Sequence, residues 1–544
     1  MNKVAHYLQQ HLGGEILVAP DVIEYFSTDE SILNITPQLV VYPRSENDIR
    51  KVSRFTWQLA EKGKVVPITA RGMGTDQTGA SLGQGIIIAT PAHMNKVVEF
   101  DSKTGVITAE AGISLDKLQQ VLHTHGQFLP PVSSANRHGT LGGAVSNNDK
   151  GHASYKYGPM QEFVRSLRVV LANGELIETG RLSKREFNKK LGLASFEGEI
   201  YRSLDKLIED HQAEISEVAL ITANSPAGFN IADVKQKDGS FDLTPLFIGS
   251  QGTLGVITEV TLDTAPYNPQ VTRIVAGFGE RIHGWQAVNE INKLKDGPAS
   301  VGFIDASLIK TAQSVNPGVL KPLEGGVPAV LLFISIDDDS VRTRKRVQKK
   351  VTKILESHSA EVALPADDEA DQWERLRDSA SLHLSQSSTK KRAIPVLDDA
   401  YIPVDRMAEF FNEFEELMKV AGVKEYAAWG QAGSGLVHVS PLLDISSVGD
   451  RQRMFKLMDA FYSYVCQIGG STAGEYAEGR IRGQFNSKLF KPEHMEVLKK
   501  IKWVFDPMNG MNPGVKVNVK TSELKTMLRS DYKLDHQYNH LPRS

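Results

Sequence analysis

Four glycine-rich motifs between residues 71 and 158 constrain this chain more than any other feature of its sequence. In chain order they are 71–81 (RGMGTDQTGAS), 130–143 (PPVSSANRHGTLGG), 147–151 (NNDKG) and 155–158 (YKYG). Glycine has no side chain, so backbone N–H groups in such motifs can approach a ligand closely. The motifs therefore indicate a binding function for this part of the chain.

The first motif has the composition of a phosphate cradle. It follows an apolar run at 65–68 that predicts a strand, and its glycines alternate with Thr75 and Thr78. Backbone N–H groups and hydroxyls can then converge on an anion. The motif lacks the G-K-[ST] of a Walker loop and the strict G-x-G-x-x-G of a dinucleotide-binding turn. Taken alone, a flexible surface loop is the alternative interpretation.

A second segment of close backbone approach lies downstream, where Gly139, Gly142 and Gly143 surround Thr140. Its composition again allows backbone N–H groups to reach an anion. Two such loops in one domain indicate a ligand with a pyrophosphate and a long body.

Length and charge set broad limits on the protein. At 544 residues the chain is too long for one hydrophobic core and is expected to form two or more domains. Its formal net charge of −3, with no evident basic stripe, argues against nucleic acid as a main partner. No apolar run reaches the ~18 residues that span a bilayer, and residues 1–6 turn polar before a signal-peptide core forms. The expected location is the cytoplasm, with peripheral contact to the cytoplasmic face of a membrane as an open alternative.

The single cysteine excludes several cofactors. Cys466 alone cannot build a disulfide framework, a cysteine zinc site, an iron–sulfur cluster or a haem attachment. It lies in an apolar-periodic segment at 461–468, which predicts an inert core thiol. For redox chemistry, the electron acceptor would have to be a separate molecule.

Four further segments carry a resemblance to a known family. They are 42–49 (YPRSENDI), 109–118 (AEAGISLDKL), 169–176 (VVLANGEL) and 247–262 (FIGSQGTLGVITEVTL). With them, residues 43–180 resemble the FAD-binding domain of the p-cresol methylhydroxylase / vanillyl-alcohol oxidase flavoproteins. The chain is most similar to the D-lactate (D-2-hydroxyacid) dehydrogenase branch, and the resemblance covers nearly its whole length.

The resemblance implies an α+β fold, in which a two-subdomain PCMH-type FAD-binding domain carries an antiparallel-sheet, ferredoxin-like cap. The domains would be an N-terminal segment (1–35), the FAD-binding domain (36–266), the substrate-binding cap (267–504), a segment returning to the FAD-binding domain (505–520) and a polar tail (521–544). Hydrophobic periodicity in the cap predicts strands at 271–278, 329–336, 392–404 and 427–439, and helices at 341–358, 406–421, 450–468 and 494–505.

FAD is the cofactor that the resemblance implies. The positions that match the family's binding residues are Arg71, Gly72, Met73, Gly74, Thr75, Asp76, Thr78, Gly79, Pro131, Thr140, Gly142, Gly143, Asn147, Asn148, Gly151, Tyr157, Gly158, Gly252 and Ile257. Thr75 and Asp76 lie where covalent members carry a linked histidine, so we expect noncovalent FAD. Asp149 and Lys150 replace the alanine and the glycine or serine of relatives, and they place charges beside the flavin region.

The cap carries the substrate signals. Segments 396–407 (VLDDAYIPVDRM) and 373–378 (WERLRD) are similar to segments of FAD-linked D-2-hydroxyacid dehydrogenases. Arg377 matches the position expected to clamp the substrate carboxylate, which suits its fork of planar donors; an arginine on a helix surface is the alternative. Arg482 also falls where relatives carry arginine, and the resemblance makes it a further candidate catalytic residue.

Two cap segments depart from the family at critical positions. Relatives typically read G-H-x-G-D-G-x-x-H and G-E-H-G-x-G, whereas this chain reads GQAGSGLVH at 430–438 and GEYAEG at 474–479. In relatives, two histidines and the glutamate hold a divalent metal that polarises the substrate hydroxyl, and the third histidine takes its proton. Here Gln431 replaces a ligand and Tyr476 replaces the base. A neutral amide is a poor zinc ligand. His438 and Glu475 would therefore be a degenerate remnant of the metal site, and the enzyme would not depend on zinc.

Two interpretations of these departures stay open. In the first, the metal is lost or weakened, Tyr476 and Glu475 position a hydroxy substrate, and His438 is the base. In the second, the cap serves another substrate or none, and His438 is a structural core histidine.

The predicted function is an FAD-dependent oxidoreductase that oxidises a 2-hydroxy acid, D-lactate-like, by hydride transfer to flavin N5. A quinone, cytochrome or flavoprotein would then accept the electrons. The alternatives are a flavin-binding protein with a catalytically diverged cap, and an oxidase that uses O2 on a polyol or sugar alcohol.

Overall fold

The computed structural model describes residues 3–132, 138–315, 326–365, 369, 373 and 390–534. The helices are α1 (Lys3–His11), α2 (Pro20–Phe26), α3 (Glu46–Glu61), α4 (Leu115–Thr124), α5 (Leu141–Asn147), α6 (Ser154–Tyr157), α7 (Lys184–Leu191), α8 (Phe196–Asp210), α9 (Gln212–Ile221), α10 (Thr244–Phe247), α11 (Arg281–Ile291), α12 (Ala306–Val315), α13 (Val341–Ser357), α14 (Met407–Val420), α15 (Val448–Gln467), α16 (Asn486–Leu489), α17 (Pro492–Phe505) and α18 (Thr521–Thr526). The strands are β1 (Glu15–Leu17), β2 (Leu39–Tyr42), β3 (Ile68–Arg71), β4 (Ile86–Ala89), β5 (Val97–Asp101), β6 (Val106–Glu110), β7 (Gln127–Phe128), β8 (Val164–Val170), β9 (Leu176–Glu178), β10 (Val256–Asp263), β11 (Ala265–Pro266), β12 (Thr272–Phe278), β13 (Ser300–Asp305), β14 (Val330–Ile336), β15 (Glu361–Ala363), β16 (Arg392–Ala393), β17 (Leu397–Tyr401), β18 (Tyr426–Gln431) and β19 (Leu436–Leu443).

The first half of the chain builds two sheets. In the four-stranded sheet, ordered β1-β2-β4-β3, the strand β4 runs parallel to β2 and β3, while β1 is antiparallel to β2. The five-stranded sheet, ordered β5-β6-β10-β8-β9, is antiparallel throughout. Strand β3 ends at Arg71, so the first glycine-rich motif begins where an edge strand stops.

The second half builds one antiparallel sheet in the order β15-β12-β14-β13-β18-β19-β16, and β17 also pairs with β19. Helices α11, α13, α14 and α15 contribute buried residues to a hydrophobic core together with this sheet. A smaller cluster contains Leu308 and Ile309 of α12. The predicted α+β class with an antiparallel cap sheet is confirmed.

The predicted strand at 427–439 is a hairpin, β18 and β19, and not one strand. Gly435 adopts a left-handed φ of 69°, and a Cβ there would lie 2.1 Å from the carbonyl oxygen of Ile402. Only glycine fits this turn. The turn folds the chain so that Trp429 of β18 lies opposite His438 of β19.

The cap is predicted to end at residue 504, but the helix that precedes this boundary is buried in the hydrophobic core of the first half of the chain. Helix α17 contacts α8 and α9 of the first half, and its Val497, Leu498 and Phe505 are buried in the same cluster as Tyr201 of α8. An amphipathic pattern shows that a helix has an apolar face but not which core buries it.

No helix within the described ranges is long and apolar enough to cross a bilayer.

Candidate active site

The first glycine-rich motif forms a tight loop after β3. The buried Arg71 guanidinium donates to the carbonyl oxygen of Thr28 at 2.9 Å. Gly74 has a φ of 79°, and a Cβ there would lie 2.3 Å from Nη2 of Arg71. The Asp76 carboxylate accepts from the backbone N–H groups of Thr78 and Ala80 at 3.1 and 2.7 Å. These contacts hold the loop backbone in one conformation.

The second motif lies directly against the first. Thr140 caps α5 by accepting the N–H of Gly143 at 3.2 Å. A Cβ on Gly72 would lie 2.3 Å from Oγ1 of Thr140, and a Cβ on Gly142 would lie 2.8 Å from that of Ala111. The two loops therefore meet. Because these positions are glycines, no side chains fill the space between the loops. This cradle fits a ligand that carries a pyrophosphate.

Other predicted binding residues contact different parts of the structure. A Cβ on Gly151 would lie 2.8 Å from the backbone of Pro131. Tyr157 donates its hydroxyl hydrogen to Asp337 at 2.8 Å, although we expected it at the flavin. Ile257, another predicted contact, is buried in the hydrophobic core. Asn148, at a left-handed φ of 54°, donates its amide to the Gln161 side chain at 2.8 Å.

The cap reaches the glycine-rich loops through the 474–479 segment. The N–H of Ala477 donates to the carbonyl oxygen of Asn147 at 3.2 Å. Gln251, next to Gly252, donates to Asn147 Oδ1 and accepts from the N–H of Gly479, both at 2.9 Å. The two departures from the family pattern therefore lie at the junction between the binding loops and the cap.

His438 lies between two carboxylates at this junction. Its Nδ1 contacts Asp398, and its Nε2 lies 2.8 Å from Oε2 of Glu475. The ring stacks on Trp429 at a centroid distance of 5.6 Å. The Tyr476 hydroxyl donates to Oε1 of Glu475 at 3.1 Å. Glu475 is thus the shared acceptor of the cluster.

The electrostatics of the cluster argue against His438 as a base at neutral pH. Burial opposes the imidazolium form, but Asp398 and Glu475 outweigh burial and raise the pKa of His438 to about 10. Burial, with Glu475 beside it, raises the pKa of Tyr476 well above its usual value. Both shifts favour the protonated form of these two side chains at neutral pH.

Gln431 completes the cluster on the side of the Lys150 backbone. Its Nε2 lies 3.4 Å from both the Lys150 carbonyl oxygen and Oε2 of Glu475. Its Oε1 is buried and has no hydrogen-bond partner among the described residues. A buried acceptor without a donor is unfavourable, so this oxygen is available to a hydroxyl group of a bound ligand.

Arg482, which we expected among the catalytic groups, contacts the backbone of the 474–479 segment in this structure. Its fully buried guanidinium pairs with Asp399 and donates to the carbonyl oxygens of Tyr476 and Ala477 at 3.1 and 2.8 Å. The Asp399 carboxylate also accepts the N–H groups of Gly474, Glu475 and Tyr476. The pair therefore fixes the backbone that presents Glu475.

The sequence interpretation did not include Asp398 and Asp399 among the site residues, although both lie in the 396–407 segment. It also missed the buried ion pair of Glu478 with Lys516, at 2.7 Å, which holds 474–479 from the opposite side. Lys150, singled out as a departure, donates its ammonium to the Asn224 carbonyl oxygen at 2.6 Å. Burial lowers its pKa to about 8, opposed by Glu475. Arg377 lies outside the described residues.

The cluster does not fit a divalent metal. Both ring nitrogens of His438 are engaged by carboxylates, and position 431 offers a neutral amide. In the part of the chain that the structure describes, no three or more His, Cys, Asp or Glu side chains are grouped to hold a metal ion.

Comparisons with known proteins identify the family of the two domains. Residues 37–180 match the family described as FAD binding domain, and 268–515 match the C-terminal domain of FAD linked oxidases. The chain is 28% identical over 506 residues to D-2-hydroxyglutarate dehydrogenase of Pantoea ananatis, covering 90% of this chain and 48% of that protein. It is 25% identical over 500 residues to D-lactate dehydrogenase of Archaeoglobus fulgidus, covering 92% and 93% of the two chains. The chain thus spans about half the length of the D-2-hydroxyglutarate dehydrogenases it matches.

The solved structure of 4-ethylphenol oxidase from Gulosibacter chungangensis has a similar fold. Its TM-score is 0.69 at 13% identity, with 96% of this chain and 97% of that chain covered. At this identity the likeness concerns the fold alone.

Proposed function

We propose that this chain, which belongs to the FAD-linked oxidoreductases, oxidises the CH–OH group of a 2-hydroxy acid. FAD, predicted from the sequence, is confirmed as its cofactor. The D-lactate-like substrate and the separate acceptor, a quinone, cytochrome or flavoprotein, are part of the proposal. Relatives named for D-2-hydroxyglutarate make a longer diacid an equal candidate for the substrate.

The observation that carries the proposal is the placement of Glu475. Its carboxylate accepts hydrogen bonds from His438 and Tyr476 and lies where the cap meets the loops around Asn147. A substrate hydroxyl held there lies beside a proton acceptor and beside the flavin-binding loops. That combination suits removal of the proton from the hydroxyl oxygen and of a hydride from the carbon that bears the hydroxyl.

Five residues of the chain have separate roles in the proposed reaction. Glu475 takes the hydroxyl proton at Oε1, the oxygen that faces Tyr476. The imidazolium of His438 and the Tyr476 hydroxyl stabilise negative charge that develops on the substrate oxygen. Arg377 and the Lys150 ammonium supply positive charge for the substrate carboxylate. When bound, FAD supplies the hydride acceptor, N5.

A panel of substrates tests the function. The purified holoprotein is mixed without oxygen with D- and L-2-hydroxy acids, including lactate and 2-hydroxyglutarate, and the visible flavin absorbance is followed. Bleaching by one enantiomer series supports the proposal. Bleaching by polyols alone would support the oxidase alternative, and no bleaching by any compound would support a flavin-binding protein with a diverged cap.

Replacing Arg377 with lysine is expected to weaken substrate binding more than flavin binding. A point charge cannot replace a bidentate fork, and the lost contact corresponds to roughly 1.5–3 kcal/mol. The measurement is KM for the most active acid, with flavin content as a second readout. Arg406→Lys, at an exposed pair with Glu409, is the control. A variant identical to the parent on every acid would make Arg377 a surface residue.

Restoring both family histidines is expected to create a zinc site. Gln431→His with Tyr476→His places two more imidazoles next to Glu475, since both parent side chains already contact it. Each single change should raise zinc affinity less, because residues that share one partner act non-additively. Elemental analysis and chelation give the measurement. Stoichiometric zinc in the parent, with activity lost on chelation and regained with zinc, would contradict this account of the site.

A further inference from the structure

Helix α13 has an unusually basic outer face. Its apolar side chains Val347, Val351, Ile354 and Leu355 are buried against the cap core. On the opposite side of the same helix lie six exposed basic residues, which we call the basic face: Arg342, Lys345, Arg346, Lys349, Lys350 and Lys353. At the 100° spacing of a helix they form one stripe that spans ~16 Å. The sequence-based expectation that no basic stripe exists is therefore wrong, because near-neutral totals hide a local concentration of charge.

The basic face does not serve the helix itself. Its members stand three and four positions apart, the spacing at which like charges repel one another. Arg342 lies in the first turn, where the helix dipole disfavours a positive charge. Among the described residues, Arg346 alone of the six forms an ion pair, with Asp296 at 3.0 Å. An arrangement that opposes helix stability is explained by a negatively charged partner.

The side chains of the basic face favour a lipid surface over a protein. Four of the six are lysines, which are point charges on flexible stems and not rigid forks. Aromatic anchors, which dominate specific protein interfaces, are absent from the exposed residues of α13. The six side chains are exposed along one side of the helix, so they can meet a flat layer of head groups along its whole length.

The remaining charge of the molecule sets the orientation. The chain has a net charge of −3, so the surface outside the basic face is more negative than the total. An anionic surface would repel that part and attract α13. A nucleic-acid duplex requires a contact area larger than the basic face. It would therefore also meet the negative surface around the basic face and be repelled by it.

We propose that the basic face of α13 docks this protein onto anionic lipid head groups as a peripheral contact. The contact is electrostatic: the apolar residues of α13 stay buried in the cap, and salt releases the protein. The proposal is independent of the substrate. It would bring a redox protein to a surface at which lipid-soluble electron acceptors reside.

The test uses the holoprotein and sedimentation with vesicles. Vesicles of phosphatidylcholine mixed with phosphatidylglycerol are compared with vesicles of phosphatidylcholine alone, at low and high salt. The main variant is Lys345→Gln, Lys349→Gln, Lys350→Gln and Lys353→Gln, which keeps good helix formers at exposed positions. The control removes four exposed lysines elsewhere: Lys103→Gln, Lys184→Gln, Lys206→Gln and Lys237→Gln.

The parent and the control variant are expected to bind the anionic vesicles and to be released by salt. The α13 variant should bind at least about tenfold more weakly with unchanged flavin content. Equal binding by both variants would show that net charge alone matters and would overturn the proposal. Failure of the parent to bind anionic vesicles would also overturn it, including the case in which the parent binds a DNA duplex or an acidic protein instead.

Discussion

Replacement of Gly143 with aspartate is expected to abolish flavin uptake while leaving the protein folded. A Cβ at this position meets only Oγ1 of Thr140, at 3.2 Å, so a small side chain fits once that hydroxyl shifts by a few tenths of an ångström. The carboxylate would extend into the cradle between the two glycine-rich loops and repel a pyrophosphate. Flavin content after purification is the measurement, with acid precipitation to show that the parent releases its FAD.

Gly449→Asp is the matched control. Gly449 also lies in the first turn of a helix capped by a hydroxyl residue, Ser447, and a Cβ there meets only the Ser447 hydroxyl at 3.7 Å. Its flavin content should equal that of the parent. Full flavin in Gly143→Asp would place the phosphate cradle elsewhere. Recovery of all parent flavin with the precipitated protein would contradict noncovalent binding.

Replacement of Arg482 with methionine is expected to lower the free energy of unfolding by about 3–5 kcal/mol, the usual loss when one partner of a buried ion pair is removed. Asp399 would keep its negative charge in a site with no exposure to water. Urea denaturation measures the change. Arg406→Met is the control, because its pair with Glu409 is half exposed and should contribute less than about 1 kcal/mol.

The same variant distinguishes two possible roles of Arg482, as a positioning residue or as a substrate contact. A positioning residue gives a loss of stability together with disorder at 474–477, so kcat falls and the kinetic parameters for different acids change in parallel. A substrate contact would instead raise KM selectively and leave stability as in the parent. That second outcome would return Arg482 to the catalytic group.

The fold was largely predictable because periodicity and glycine chemistry are local. Helix α13 was expected at 341–358 and ends one residue earlier, at Ser357. The strands at 271–278 and 329–336 are each one residue shorter than predicted. The sequence could not show which core buries a given helix, because that depends on distant parts of the chain, as for α17, whose apolar face packs on α8 and α9.

The candidate site was predictable in part for the same reason. Glycines with no room for a side chain, such as Gly72 and Gly74, can be recognised in the sequence by their residue type. The environment of His438 could not be read from the sequence, because Asp398 reaches it only through the register of β17 on β19. Glu475 reaches the other ring nitrogen of His438, because Asp399 accepts hydrogen bonds from the 474–476 backbone and holds it in place.

The proposed chemistry is tested most directly by a substrate with deuterium in place of hydrogen at C2. The parent holoprotein is mixed without oxygen with the most active 2-hydroxy acid and with its C2-deuterated form, and the rate of flavin bleaching is compared. If the C2 hydrogen leaves as hydride while Glu475 takes the hydroxyl proton, bleaching is several-fold slower with deuterium, and Glu475→Gln bleaches far more slowly with either form. Equal bleaching rates for the two forms, together with full activity in Glu475→Gln, would contradict the account.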